Sequence, residues 1–372
     1  MAYVFASPIH GTEYISEVLE AVGKSVGLRR EGPPPKVPLV VHATGGTTWN
    51  VVDFVVRGGA RGAVLVGFGE HNSLASALHT RAELESLGVP SIVFHCTSFR
   101  DCGAVLQKAK AVADAASLLL GARAVLIGRA TAQVEAARRL GWTVEVVPLE
   151  EFEKAVDAAD PDEDALKLFN DVKVAKITSA LRKYAEGRDL AAIQCFPYLI
   201  KHKVTPCLAL ALLNSRGSTV ACEGDLAAGF AMLLSRRLSG YSGWISNVVH
   251  AAGGEAAFAH CTISLDMAKS WRLMPHFESG YPHGLAAELA HDVYTVVSVS
   301  PRLDAIAVGK AAVRKSGNFM KDACRTQALV DFGKEVDIPA KAPANHHVFI
   351  PGDHVEEVKA VAKLLNMRLV EY

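Results

Sequence analysis

At 372 residues, half of them apolar, the chain is long enough for two or three packed domains rather than one. Its 39 Lys and Arg balance its 39 Asp and Glu, and no segment gathers basic residues, so composition favours small-molecule partners over nucleic acid or a membrane surface. No apolar run approaches the ~20 residues that span a bilayer, and the opening MAYVFASPIHGTEY lacks the basic start and long apolar middle of a signal peptide; a cytoplasmic location is expected.

Short β-rich runs open the chain: YVFA (3–6), VPLVVHA (37–43), AVLVGF (63–68) and SIVFHC (91–96). Continuous apolar runs of this length, separated by helical patterns, read as parallel strands buried on both faces. HATGGTTWN (42–50) lacks both glycine-rich nucleotide-binding spacings and reads as a turn into a helix. In GEHNSLASAL (69–78), Asn72 or Ser73 is placed to cap a helix, with Glu70 and His71 on the ligand-facing edge of the sheet; His10 in SPIHGTEY has the same position after the first strand. After an alanine-rich helix over 104–120, a second strand series follows: AVLIG (124–128), VEVVP (144–148), AAIQC (191–195) and STVAC (218–222). From about residue 256, FAHCTISL, VYTVVSV, AIAVGKAAV, QALVDF and HHVFI succeed one another without long helices, the texture of an antiparallel sheet or small barrel. DHVEEVKAVAKLLNM closes the chain as an amphipathic helix. The expected fold is thus α/β: two consecutive doubly wound parallel-sheet domains (1–118 and 119–255), then an antiparallel β-barrel-like domain with a terminal helix (256–372).

Seven cysteines, odd in number and scattered without a C-x-x-C, exclude a zinc ribbon or a secreted disulfide framework and read mostly as buried thiols. Sparse Asn and Gln beside abundant Arg, Ala and Val resemble thermophile composition, in which an occasional intracellular disulfide is no surprise.

The candidate chemistry centres on STVACEGDLAAGF. Glu223 directly follows a strand, at the end of the sheet where open α/β folds place ligands, and a glutamate there needs a cation or a hydrogen-bonding partner. Asp225 precedes a helical pattern, so it serves either as an N-cap or as a second acid. His260, inside an apolar strand pattern, becomes a ligand only if another such group converges on it. His346 and His347 open a β-like run, where alternation sends one ring to each face without saying which faces the site. A carboxylate oxygen with one or two imidazoles suits Mn²⁺, Co²⁺, Fe²⁺ or Zn²⁺ better than Ca²⁺.

PCLALALLNSRGSTVACEGDLAAGFAMLLSRRLSGYSGWISN, followed by AHCT, HFESG, CRTQ and NHHVFIPGDH, resembles the L-fucose isomerase and L-arabinose isomerase superfamily over roughly residues 190–372, closest to its compact sugar-isomerase-like members. That resemblance implies a divalent metal, usually Mn²⁺, aldose–ketose interconversion through a cis-enediol, and a homo-oligomer, a trimer or hexamer, whose active sites a neighbouring subunit completes. It implies that Glu223 binds the metal and acts as an acid/base group, and that His260 and either His346 or His347 are ligands. Asn247 stands where the fucose isomerases place an aspartate ligand; its amide oxygen can ligate but carries no charge. On this reading Asp225, Glu278 or a metal-bound hydroxide is the second acid/base, and His10, His276, Glu278 and Arg325 contact the sugar. The other expected readings are a sugar-binding protein without isomerase activity and a metal-dependent aldolase.

Overall fold

The computed structural model describes residues 1–29 and 31–372, which divide into two compact units: residues 1–120 with 356–367, and residues 121–355 with 368–372. In the first unit, strands β1 (Tyr3–Phe5), β2 (Leu39–His42), β3 (Ala63–Phe68) and β4 (Ser91–Cys96) form a parallel sheet in that order, with helices α1 (Thr12–Val26), α2 (Thr48–Arg57), α3 (Ser73–Ser86) and α4 (Gly103–Leu119) beside it. Every residue of β2 and β3 is buried, as uninterrupted apolar runs require when helices cover both sides of a sheet. A parallel bridge from Ala2 to Leu28 extends the sheet beyond β1, so the chain winds outward from β1 in both directions. Val40, Val51, Val55, Leu65 and Leu84 make the core between β2, β3, α2 and α3. Asn72 precedes α3 in a left-handed conformation and makes no side-chain cap; Ser73 instead bonds the Phe68 N–H and the His42 carbonyl, tying α3 to the strand ends.

The second unit opens with a parallel sheet of β5 (Arg123–Ile127), β6 (Thr143–Val147), β7 (Leu190–Ile193) and β8 (Val220–Ala221). Their spatial order is β6-β5-β7-β8, reversing direction at β5. The connections carry α5 (Ala132–Leu140), α6 (Leu149–Ala158), α7 (Glu163–Phe169), α8 (Val172–Ala185), α9 (Cys195–His202) and α10 (Cys207–Ser215), and α11 (Leu226–Ser239) leads out of β8. There follow β9 (Trp244–Ala252), β10 (Glu255–His260), β11 (Ala268–Met274), β12 (Gly284–Leu289), β13 (Val293–Val299), β14 (Ala305–Gly317), β15 (Thr326–Asp331) and β16 (His346–Pro351). Six of these close on themselves as an antiparallel barrel, β13-β16-β9-β10-β15-β14, with β14 returning to β13. β11 and β12 pair separately, and the last strand, β17 (Arg368–Glu371), adds to β14 in parallel.

Two expectations are corrected. The barrel begins at Trp244 rather than 256: β9 and β10 are the arms of one hairpin, so a boundary at 255 would cut a continuous ladder. The closing helix, α12 being the single turn Ile338–Lys341 and α13 the helix Val355–Leu364, does not belong to the barrel: residues 356–367 join the first unit, where Lys363 pairs with Glu85 and Lys108 with Glu357. Among the described residues no helix is long and apolar enough to cross a membrane.

Trp244, Phe258, Tyr294 and Phe349, from four barrel strands, pack into one aromatic cluster with ring centroids 4.9–5.6 Å apart, and the Trp244 indole donates to the Thr262 carbonyl at 2.9 Å. Trp244→Ala removes the largest ring packed on Phe349 at the centre of this cluster and orphans that carbonyl; a loss of about 3–5 kcal/mol is expected, measured by urea denaturation.

Candidate metal centre

Strand β8 delivers the chain to a short turn, Cys222–Gly224, at the carboxyl end of the sheet. Within it Glu223 holds φ 58° and ψ 12°, a left-handed conformation that costs a non-glycine residue of order 1–2 kcal/mol and persists only where its surroundings enforce it. Those surroundings are tight. Gly224 also has positive φ, and a Cβ there would lie 2.6 Å from the Gln194 side chain; the Gln194 amide in turn bonds both the N–H and the carbonyl of Arg129. Glu223 is thereby presented toward the barrel rim, where β10 ends in His260 and β16 begins with His346.

Nε2 of His260 lies 3.3 Å from Glu223 Oε1, and Nε2 of His346 lies 3.6 Å from Glu223 Oε2. One ligand atom from each of the three residues falls within 4.8 Å of the others. Neighbouring ligands of an ion bound at about 2.1 Å are themselves about 3–3.5 Å apart, so small shifts of these side chains would seat one. His346 Nε2 is buried and has no hydrogen-bond partner, the condition of a ring nitrogen that serves a metal. The opposite nitrogen, Nδ1, is 2.7 Å from Asp225 Oδ2, while Asp225 Oδ1 accepts from Ala227 and Ala228 N–H at 2.8 and 3.0 Å. Asp225 therefore does two jobs: it caps α11 and orients His346, completing the carboxylate–imidazole pairing that commonly backs a metal ligand.

The electrostatics follow from this geometry. Burial pushes the Glu223 carboxyl up, but the His260 hydrogen bond and the neighbouring His346 ring outweigh it and hold the group well below the usual carboxylate range; Asp225 is depressed the same way, mainly through His346. Burial pulls His346 down, yet its hydrogen bond to Asp225 and the nearby Glu223 carboxylate lift it to about 10. In metal-free protein this imidazolium contributes stability that is complete below its unfolded value of about 6.5 and is lost as pH climbs through 10, while the two acids contribute stability present above about 4.5 and lost in acid. Thermal melts of metal-free protein should therefore fall between pH 6.5 and 10, and the stabilisation by added metal should grow across the same range because ligation displaces the His346 proton. A flat metal-free profile would contradict the Asp225–His346–Glu223 coupling.

The remaining expected residues separate. His347 points away from the site: two residues before Phe349, it shares that residue's face of β16, is fully buried, and bonds the Tyr372 hydroxyl at 2.6 Å and the Asn345 carbonyl at 2.9 Å. Burial drops its pKa to about 4, so it is a neutral structural group. Asn247 sits opposite His346 in the β9–β16 ladder and, with Glu223 and His260, lines a pocket beside them, its side-chain oxygen taken by the Asn345 amide. His276 and Glu278 also line the pocket. Arg325 does not: its Nε donates to the Pro275 carbonyl at 2.7 Å and its guanidinium lies over Phe277, so it braces the segment carrying His276. His10 belongs to the first unit, where its Nδ1 is 3.2 Å from that of His71.

The cysteines are mostly buried thiols with one disulfide, as their scatter and the composition led one to expect; what the sequence did not show is that the free ones gather at the site. Cys96 and Cys102 form a disulfide at the end of β4, and the five remaining cysteines, Cys195, Cys207, Cys222, Cys261 and Cys324, all line the pocket beside Glu223. The signal was local: Cys222 precedes Glu223 and Cys261 follows His260. A hydrogen bond from Cys324, against the opposing effect of burial and with help from His276, lowers the Cys261 thiol, while its contact with Cys261 overcomes burial to raise His276. No family model matches the chain, and no curated protein matches it.

Proposed function

We propose that the chain is a divalent-metal-dependent enzyme that interconverts an aldose and a ketose of a small sugar through a cis-enediol. The observation that supports this reading most is the meeting of Glu223, His260 and His346, from three distant segments, beside a pocket that Glu223 and His260 line. Two imidazoles and one carboxylate suit Mn²⁺, the ion implied by the resemblance to the fucose and arabinose isomerases, and equally Fe²⁺, Co²⁺ or Zn²⁺. Such an ion supplies Lewis-acid stabilisation to the negative charge that develops on the substrate oxygens.

The chain's own groups provide the rest. His260 and His346 fix the two oxygens of Glu223, and Asp225 fixes His346, so the carboxylate is held in one orientation. Glu223 takes the proton from one substrate carbon and returns it to the next. On this reading Glu278, exposed on the pocket wall, serves the substrate oxygens as second acid/base, and Asn247 donates a hydrogen bond from its amide. The cysteines, Phe196, Leu199 and Pro206 give the pocket a wall that excludes water from the carbon being deprotonated.

The test is proton exchange in D₂O. Mn²⁺-loaded protein, offered a panel of aldoses and ketoses, is expected to wash out the C2 proton of at least one and to form its isomer; absence of exchange in every case overturns the reading. Products with fewer carbons would identify aldol-type cleavage, which shares the enediolate intermediate. Ligand-induced thermal stabilisation without exchange would identify a sugar-binding protein. The same reading places the chain in the cytoplasm as a homo-oligomer, a trimer or hexamer, which light scattering of the purified protein checks.

A further inference from the structure

The Glu223 turn is anchored on sulfur. Cys195 follows β7 and Cys222 follows β8, two adjacent parallel strands paired through Ala191–Val220 and Ala192–Ala221. Their Sγ atoms are 3.3 Å apart, both side chains are buried, and both border the pocket. A disulfide needs about 2.05 Å between sulfurs, so closing this pair asks for little more than 1 Å of approach. Little else nearby can yield. The Cys195 side of the contact is held by Gln194, whose amide bonds Arg129 at both N–H and carbonyl, and whose chain fills the space left by the missing Cβ atoms of Gly128 and Gly224. Gln194 thus packs against both sides of the contact, and whatever part of the approach Cys222 takes is passed on to the strained residue after it, Glu223.

We propose that Cys195 and Cys222 form a reversible disulfide that weakens metal binding at Glu223. The oxidant is a small organic disulfide. One cysteine attacks it, forming a mixed disulfide and expelling one thiol; the other cysteine then displaces the second thiol and closes the protein disulfide. The two cysteines lose two electrons and two protons, and the organic disulfide takes up both as two thiol molecules. Since metal sites tolerate ligand displacements of only about 0.2 Å, drawing Cys222 toward Cys195 moves the Glu223 carboxylate out of register with His260 and His346. The metal-binding half of this inference rests on the site reading above; disulfide formation does not.

Metal-free full-length protein is incubated with excess oxidised glutathione, then alkylated, digested without reduction and analysed by mass spectrometry, while Mn²⁺ affinity is measured by calorimetry before oxidation, after it, and after dithiothreitol. A cross-linked peptide pair carrying Cys195 and Cys222 is expected, together with a metal affinity lower by roughly tenfold or more that recovers on reduction. In Cys195→Ser, or Cys195→Ala should the first variant fold poorly, oxidant should leave the affinity unchanged. Full alkylation of both residues after oxidation, stable glutathione adducts in place of the cross-link, or equal affinity in both redox states each overturns the proposal. If reduced protein binds no metal, the site reading fails and the control of metal falls with it, while the cross-linked peptide still reports on the disulfide by itself.

Discussion

Glu223→Gln is expected to empty the site and reduce isomerisation by roughly 10³-fold or more, with the fold intact. Glutamine has the same shape in this left-handed turn but offers an oxygen to only one of the two rings and an NH2 to the other, so any loss reports on charge, ligation and proton transfer rather than on size. A neutral amide neither balances a divalent cation nor shuttles a proton at neutral pH. Without the carboxylate, His346 keeps only Asp225 as a partner, and its raised pKa should relax downward. Metal content by elemental analysis, circular dichroism and the D₂O exchange assay together decide the matter. Stoichiometric metal and full exchange in E223Q would remove Glu223 from the centre of this description.

The second large effect belongs to Asp225, which the sequence offers as a helix cap or a second acid and the structure places behind a ligand. Asp225→Asn keeps the cap on Ala227 and Ala228, because asparagine caps helices as well as aspartate does, but loses the charge that orients His346. Metal affinity should drop about 10–100-fold with little change in stability. Asp225→Ala should lose the same affinity and a further ~1 kcal/mol of folding stability from the missing cap. Calorimetry and urea denaturation of the two variants separate these roles; equal destabilisation of both, with metal binding retained, would make Asp225 a cap alone.

Much of the parallel architecture was legible because its cause is local. AVLVGF and SIVFHC match β3 and β4 residue for residue; β3 is buried throughout, as an unbroken apolar run implies, while β4, at the sheet edge, is half-buried over residues 92–94 and exposed at His95. The elements that escaped notice lack that signature. WISNVVHAA is interrupted by Asn247 and His250 yet forms β9, because a barrel wall needs apolar side chains only where it is covered, and AKSWRLM, half exposed, forms β11 in a separate two-stranded ribbon with β12. The terminal helix was readable as a helix but not as part of the first unit, since an amphipathic face says that it packs and not on what.

The site divides along the same line. Sequence by itself determined that Glu223 stands at the carboxyl end of a parallel strand and that Asp225 starts a helix, because both depend on residues within a few positions. Only the tertiary structure decided that His260, 37 positions away, and His346, beyond it by 86 more, meet that carboxylate, that His347 turns to Tyr372 instead, and that five separated thiols share one pocket wall. Strand alternation gives a ring one of two faces, but which face looks into the site depends on how β16 is registered between β9 and β13, and that register is set by packing across the whole barrel.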